Sequence, residues 1–231
     1  MCGDVYGVKI GENLYAVKIG RPDIPAADDN RSKPYHHGDL RQALLNAALD
    51  IVRREGGGAL TLRAVARAAR VSHMAPYHHF ADKAALVAAV AREGFRGLRR
   101  EMEERIERCP DDPRARFRES GIAYVSFAVK HPNLFRVMFG PQTADAEAHP
   151  ELKAESQGVF DVMQRLLLES QAGYAIRRDD ARQIGLTAWS LVHGLAMLCI
   201  DKQFGPAATS PEGAERLAYA ATGALFRGLR R

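Results

Sequence analysis

Residues 60–83, LTLRAVARAARVSHMAPYHHFADK, decide the fold of this chain. Thr61 is a good N-cap residue, and the apolar residues that come after it recur at helical spacing, which predicts a short helix over Thr61–Arg67. After a tight turn at Arg70-Val71, Ser72 can cap a second short helix from His73 to about His79. The stretch therefore predicts two short helices joined by a turn, which is the helix-turn-helix arrangement.

Longer helices flank this pair on both sides. An apolar stripe that begins after Asp39 ends at Glu55, where Gly56-Gly57-Gly58 is a strong helix stop. Asp82 can cap a second long helix, which continues past Leu98 until Pro110 and Pro113 end it. The first flanking helix and the pair make a helix-turn-helix three-helix domain, and the second flanking helix leads out of it. We place this domain at residues 34–98.

The remainder of the chain also has helical periodicity. Five helices are predicted: about Arg114–Lys130, a short apolar helix after His131-Pro132 that stops at Gly140-Pro141, Glu151–Gln171, Asp179–Phe204, and Pro211 to about Leu229. No strand pattern occurs after residue 33, although Val5–Ile10 and Leu14–Ile19 resemble a short hairpin. The predicted fold class is all-α, with an N-terminal arm at 1–33, either hairpin or disordered, and a C-terminal helical ligand-binding and dimerisation domain at 99–231.

The charge is concentrated in one block. The whole chain has a net charge of +5, but residues 31–100 alone carry a net charge of +8. A basic block beside a nearly neutral one favours a module that binds a polyanion, and a well-solvated surface is the plainer alternative. In a helix-turn-helix the second helix enters the major groove of DNA, so double-stranded DNA is the expected polyanion.

Other classes of protein are disfavoured. Three scattered cysteines and no apparent leader segment indicate a reducing compartment, and we expect a cytoplasmic protein that is not bound to a membrane. The apolar run Ile184–Ile200 falls short of the ~20 residues that span a bilayer, so we predict a buried helix. No catalytic motif is present, which predicts a protein that is not an enzyme and has no cofactor. His73, His78 and His79 lack the i, i+4 spacing of metal ligands on one helical face, so we predict no metal site.

The stretch 60–83 resembles the DNA-binding signature of TetR/AcrR-type transcriptional regulators. The spacing Tyr77-x-His79-Phe80-x-x-Lys83 is the most specific part of this resemblance. The stretches Lys33–Arg41 and Trp189–Gly194, the latter with a Trp-x-x-x-His-Gly pattern, further resemble the WHG-domain subgroup. The resemblance implies a set of DNA contacts within residues 61–83.

By this resemblance, Thr61 and Arg63 would lie against phosphate and the groove edge, and His73, Met74 and Ala75 would face base edges. Contacts to the DNA backbone are expected from Tyr77, His79 and Lys83, and His78 would reach either backbone or base. The family usually has Gly at position 70, because the turn favours a positive φ. Arg70 therefore either strains an unchanged turn by about 1 kcal/mol while adding a cation near phosphate, or lies in a reshaped turn.

The predicted C-terminal domain offers candidates for a ligand pocket. The candidate ligand-binding residues are Phe127, Phe135, Met138, Phe139, Phe160, Met163, Trp189 and His193. His193 is either a core histidine bonded to a backbone carbonyl or a polar group in the pocket. The resemblance implies that the last two helices form a homodimer interface, with small residues at 185, 188, 194 and 196 and at 214, 218, 221, 223 and 224.

The sequence thus predicts a ligand-responsive, DNA-binding transcriptional regulator. We expect a homodimeric repressor that binds a palindromic operator and is released by an apolar small-molecule effector. One alternative is a DNA-tethered regulator whose C-terminal domain binds a protein partner, which an exposed apolar patch without a pocket would favour. The other is an enzyme that uses His193 with Tyr174 or Asp201, which requires a cleft that brings these side chains together.

Overall fold

The structure, a computed structural model, describes residues 37–143, 148–173 and 180–229. Within these ranges the chain forms eight α-helices joined by turns and short 3-10 segments, and no strand. The helices are α1 (His37–Glu55), α2 (Leu62–Ala68), α3 (Lys83–Glu107), α4 (Pro113–Lys130), α5 (Pro132–Met138), α6 (Pro150–Ala172), α7 (Ala181–Ile200) and α8 (Pro211–Leu229). The predicted all-α class is confirmed. The predicted arm at 1–33, and residues 34–36, lie outside the described residues.

The N-terminal helices begin and end where the sequence predicts. Thr61 Oγ1 accepts a hydrogen bond from the Ala64 N–H at 3.0 Å, and Asp82 Oδ1 accepts one from the Ala85 N–H at 2.8 Å. Both side chains therefore satisfy a backbone donor that the first turn of a helix leaves free. α1 ends at Glu55, and Gly56 comes next with φ 83°. The predicted caps of α2 and α3 and the predicted glycine stop of α1 are confirmed.

The second helix of the pair differs from the prediction. Residues 73–74 form a turn and Ala75–His78 form a 3-10 helix, whereas an α-helix capped by Ser72 was expected. Pro76 is the physical reason, because it has no N–H to donate and disfavours the α conformation at the residue before it. The amides of Ala75, Tyr77 and His79 instead donate to the carbonyl three residues earlier. The Ser72 carbonyl, and not its side chain, accepts the first of these bonds.

α4 is the central helix of the C-terminal half. It contacts α3, α5, α6, α7 and α8, and nine of its residues are buried. Ion pairs tie α3 to its neighbours: Arg99 pairs with Glu155 of α6 at 2.9 Å, and Arg105 pairs with Glu119 of α4 and Glu215 of α8 at 2.7 Å each. α3 runs without a break through position 98, where the predicted domain boundary lies. α3 therefore belongs to both the predicted DNA-binding and C-terminal domains.

α7 is buried on one face only. Val192 and Cys199 are buried, whereas Gly194 is exposed and Leu198 is 43% exposed. Among the described helices, α7 has the length and composition of a membrane span, but it packs against α4, α6 and α8. The prediction of a helix buried on nearly all sides is therefore wrong for its outer face. Apolar composition alone does not separate burial within a chain from a face left for another molecule.

Candidate nucleic-acid interface and internal cavity

The turn after α2 has a defined geometry. Arg70 has φ 57°, the Arg70 N–H donates to the Arg67 carbonyl at 3.2 Å, and the Val71 N–H donates to the Ala66 carbonyl at 3.0 Å. These two bonds around one left-handed residue make a Schellman motif, in which Arg70 holds the position that glycine usually takes. The turn therefore keeps its shape, and the alternative of a reshaped turn does not hold.

The start of α2 has its own binding groups. The Thr61 side chain is exposed and caps the helix, so its oxygen is engaged while its hydroxyl hydrogen is available to an acceptor. Arg63, in the first turn of α2, is also exposed. This arrangement can bind an anion, because the positive end of a helix dipole and a guanidinium face solvent together.

The segment after the turn presents large side chains to solvent. Met74 is 53% exposed and Tyr77 is 45% exposed, although both are large enough to be buried in a core. His73 and His78 are exposed as well, and Ala75 and His79 are half-buried. Phe80, in contrast, is 2% exposed, as predicted for a core residue, and Arg41 lies 5.6 Å from the centre of its ring. The segment is thus anchored by Pro76 and Phe80 and exposes the side chains between them.

The cations of this surface are free of carboxylate partners within the described part of the chain. Arg63, Arg67, Arg70 and Lys83 are exposed and make no ion pair with a described residue. The one carboxylate in the stretch 60–83, that of Asp82, caps α3. The surface therefore carries uncompensated positive charge, in contrast to the paired arginines along the rest of α3.

Metal chemistry has no site in the described ranges. No group of three His, Cys, Asp or Glu side chains there could hold an ion. His73, His78 and His79 belong to the exposed segment, where they can donate and accept hydrogen bonds with polar groups of a partner.

An internal cavity of about 550 Å³ lies in the C-terminal half. Its walls come from α3 to α8 and are largely apolar, with aromatic and methionine side chains prominent among them. The aromatic and methionine residues that line it are Phe95, Met102, Phe117, Tyr124, Met138, Phe139, Phe160, Met163 and Trp189. A cavity of this size and character is within the range of small-molecule binding sites.

Five of the eight predicted ligand-binding residues line this cavity, namely Met138, Phe139, Phe160, Met163 and Trp189. Three do not. Phe127 is 3% exposed and lies against His131, with ring centres 4.8 Å apart, on the side of α4 that faces a separate polar cleft. Phe135 is fully buried and stacks on His193 at 5.6 Å. His193 lies behind the cavity wall, and Trp189, one turn earlier on α7, takes the position on the open side.

His193 belongs to a hydrogen-bonded cluster with the wall. Its Nδ1 lies 2.9 Å from the Tyr124 hydroxyl oxygen, and the Trp189 Nε1–H donates to the same oxygen at 3.2 Å. Burial lowers the pKa of His193 and raises the pKa of Tyr124 well above its ordinary value, so both groups are neutral near pH 7. The tautomer of the neutral imidazole sets which of the two groups donates in this hydrogen bond. His193 bonds to a side chain and not to the backbone carbonyl expected of a core histidine.

Most residues of the cavity wall were missed in the sequence, and two of them, Tyr124 and Arg182, are important for its chemistry. Tyr124 lies within a helix of small and apolar residues, where nothing marks a tyrosine as part of a polar cluster. Arg182 lines the cavity from the first turn of α7. It was missed because an arginine close to Asp180 in the sequence is typical of a charged, solvent-exposed surface. The signal for Arg182 was its position: it lies four and seven residues before Leu186 and Trp189, which also line the cavity.

The enzyme alternative finds no support in these contacts. Asp201 forms an ion pair with Arg136, and the hydrogen bond of His193 goes to Tyr124. Tyr174 lies outside the described residues. A general base needs a polar partner within reach of a substrate, and His193 is enclosed by Phe135, Phe139 and Trp189.

Two family models match the chain. The model described as bacterial regulatory proteins, tetR family, matches residues 44–90, and the model described as tetracyclin repressor-like, C-terminal domain, matches residues 117–221. A search of the curated proteins gives no match. The two matched ranges contain the exposed turn segment and most of the cavity wall.

Solved structures share the whole fold. A protein with unknown function from Rhodococcus sp. RHA1 is 35% identical, with 87% of this chain and 100% of that chain covered and a TM-score of 0.75. The TetR family transcriptional regulator PfmR from Thermus thermophilus is 21% identical over 83% of this chain and 97% of that chain, with a TM-score of 0.62. The transcriptional regulator FadR from Bacillus subtilis, solved in complex with stearoyl-CoA, is 15% identical over 82% of this chain and 99% of that chain, with a TM-score of 0.66.

Proposed function

This chain belongs to the TetR family of transcriptional regulators, and from that premise we propose that it is a cytoplasmic homodimeric repressor, which binds a palindromic operator and leaves it when a small molecule fills the cavity. The single observation that carries the proposal is the exposed, uncompensated cationic surface around Arg70 and Tyr77. The WHG subgroup suggested by Trp189–Gly194 stays a prediction.

The DNA contacts follow from the order of side chains on that surface. Thr61, Arg63, Tyr77 and Lys83 bind phosphates and fix the position of the segment on the duplex. His73, Met74 and Ala75 lie at the start of the exposed segment and face base edges, where Met74 and Ala75 suit a thymine methyl group. His79 also contacts the DNA backbone, and His78 completes the set with a contact to backbone or base. Because Ala75–His78 is a 3-10 turn and not a longer α-helix, few residues read each half-site.

The outer faces of α7 and α8 supply the dimer interface. Of the predicted small residues, Gly185, Ala188, Ala196, Ala214 and Ala218 are buried within the chain, so they serve packing inside one protomer. Gly194 and Ala224 are exposed, and nothing lies within 4 Å of a Cβ placed on Gly194. Gly194 and Leu198, one turn apart on α7, leave an exposed face that lets a second copy approach closely, and Ala224 adds a small residue on α8. A two-fold dimer places two reading segments about 34–36 Å apart, one turn of the duplex.

α5 couples the cavity to the DNA-binding half. Met138, at its C-terminal end, and Phe139, which comes next, line the cavity. Asn133 at its start donates from Nδ2 to the Arg53 carbonyl in the last turn of α1 at 3.1 Å, and Val137 packs against Gly57. A ligand that displaces the end of α5 therefore moves the end of α1. Such coupling is typically worth about 1–3 kcal/mol and is reciprocal, so operator DNA weakens effector binding by the same factor.

The cavity also bears on the alternative in which the C-terminal half binds a protein partner. That alternative expected no pocket, and a lined cavity of about 550 Å³ favours a small molecule. The ligand-bound FadR structure supports the same choice, since a regulator of this fold holds stearoyl-CoA.

Selection of bound fragments from random double-stranded DNA with the purified protein tests the proposal. We expect an enriched palindrome, with a complex of two protomers in analytical ultracentrifugation. Arg63→Ala should weaken binding to the selected DNA, whereas Arg165→Ala, an exposed arginine of α6 away from this surface, should leave it unchanged. Enrichment of no sequence, or of a site bound by one protomer, overturns the proposal.

A further inference from the structure

The cavity has one charged wall residue among those described. Its polar wall residues are few, and the only one with a formal charge is Arg182. No described carboxylate lines the cavity, so a positively charged ligand would meet no counter-ion there. The composition is therefore asymmetric, with a large apolar wall and a single cation.

Arg182 lies where it can meet both ligand and solvent. Its side chain is exposed although it lines the cavity, which places it at an opening. Its backbone N–H is held by Asp180 Oδ1 at 2.8 Å, but its guanidinium makes no ion pair with a described residue. No described residue therefore engages its five guanidinium donors, which can bind a ligand.

α7 sets the distance between this cation and the rest of the wall. Arg182, Leu186 and Trp189 occupy positions i, i+4 and i+7, so they share one face of the helix. At 1.5 Å per residue, the Arg182 and Trp189 backbones are about 10 Å apart along the axis. A ligand that contacts both side chains therefore lies along this face of α7, with the cation at one end and the aromatic wall at the other.

We propose that the effector is an amphipathic organic anion, whose apolar body fills the aromatic and methionine cavity and whose carboxylate binds Arg182. This rests on the proposed function and specifies its ligand. The guanidinium matches a carboxylate with two parallel, charge-assisted hydrogen bonds, whereas the hydroxyl of an alcohol offers a single oxygen and no negative charge. Carboxylate binding at an opening also leaves the charge partly hydrated, so only the apolar body is withdrawn from water.

The chain carries its own reporter for the test. Trp189 is the single tryptophan and lines the cavity, so its fluorescence responds to occupancy. Titration of the purified protein with decanoate and with decan-1-ol compares one apolar chain with and without the charge. We expect decanoate to bind about 10-fold more tightly, a difference of about 1.4 kcal/mol.

Variants of Arg182 separate the charge from the cavity. Arg182→Gln should abolish the preference for decanoate and leave the affinity for decan-1-ol unchanged, and Arg182→Lys should keep part of it. Arg165→Gln, an exposed arginine of α6 that does not line the cavity, should behave as the parent protein. Circular dichroism establishes that each variant is folded.

Equal affinities of the two compounds, or a decanoate preference that survives in Arg182→Gln, overturn the inference. Operator binding is measured separately on the ligand-free protein. If no operator is selected but the preference depends on Arg182, the proposed function fails and the ligand class stands; the reverse result rejects only the ligand class.

Discussion

Arg70→Gly tests the strain in the helix-turn-helix directly. Arg70 ends α2 in a left-handed conformation, with φ 57° and both bonds of a Schellman motif intact. Glycine adopts this conformation without a steric penalty, so the substitution should stabilise the fold while removing a cation from the proposed DNA surface. Stability and DNA affinity should therefore change in opposite directions.

The expected change in the free energy of unfolding of Arg70→Gly follows from two opposing contributions. A residue with a Cβ in the left-handed region destabilises the folded parent protein by about 1–2 kcal/mol. Glycine removes this strain, but its greater freedom stabilises the unfolded chain and offsets about 0.5–1 kcal/mol of the gain. The net gain in the free energy of unfolding is about 0.5–1 kcal/mol, or about 1–4 °C in Tm for a chain of this size. On DNA, loss of one phosphate contact from each protomer of the dimer lowers the slope of log K against log salt by about 1.8.

Lys202 provides a matched control. It lies just after α7 with φ 59°, the Lys202 N–H donates to the Cys199 carbonyl at 3.0 Å, and the Gln203 N–H donates to the Leu198 carbonyl at 2.9 Å. The motif is the same, but it lies at the end of α7, outside the cationic surface. Lys202→Gly should therefore raise the Tm by a similar amount and leave the salt slope of operator binding unchanged.

Thermal unfolding monitored by circular dichroism measures the first effect, and gel-shift titration at several salt concentrations measures the second. If Lys202→Gly raises the Tm and Arg70→Gly does not, the strain assigned to the DNA-side turn is wrong. If Arg70→Gly stabilises the fold but its salt slope equals that of the parent, Arg70 does not contact phosphate in the complex.

Three further outcomes are expected. The double variant Tyr77→Ala with Lys83→Ala should weaken binding to all DNA sequences, and the loss of each Lys83 contact with phosphate should lower the salt slope by about 0.9; an unchanged gel-shift affinity would refute the phosphate assignment. His73→Ala should relax base preference at one position of each half-site, and a repeat of the random-DNA selection that returns the parent preference would exclude base contact by His73. Burial lowers the pKa of His131 and His193 below the ordinary 6.5, so the unfolded chain takes up protons before the folded protein does and the Tm should fall as the pH drops below about 6.5. His193→Phe should reduce that dependence, and an equal fall of Tm between about pH 7.5 and pH 5.5 in variant and parent would contradict it.

Local chemistry made most of the helices predictable. Proline starts α4, α5, α6 and α8, and a side-chain oxygen of Thr61, Asp82 or Asp180 caps α2, α3 or α7. These signals act over one turn, so they can be read without knowing the fold. The segment 73–79 was misjudged because its apolar spacing suits a helix while Pro76 removes the bond that an α-helix needs there.

The exposure of the proposed DNA-contact segment could be predicted from the sequence because it depends on a local motif. The lining of the cavity could not, because it depends on how distant helices pack. The proposed DNA contacts lie within one short segment, so the exposure of Met74 and Tyr77 follows from a local motif. The cavity is formed by residues from α3 to α8, and whether a phenylalanine lines it or fills the core depends on how helices pack. Phe135 and Phe139 are four residues apart, yet only Phe139 reaches the cavity, because Phe135 stacks against His193.

Arg70 shows how the two kinds of information combine. The sequence identifies a residue with a Cβ where the turn favours glycine, but it leaves open whether the turn changes or the residue is strained. The Schellman bonds at Ala66 and Arg67 decide that the turn is unchanged. The end of α2 holds Arg70 in this strained conformation, as the end of α7 holds Lys202. Arg70 differs from Lys202 in its surroundings, because its neighbouring exposed cations also lack carboxylate partners in the described ranges, and on that ground we propose its ionic contact with the DNA backbone.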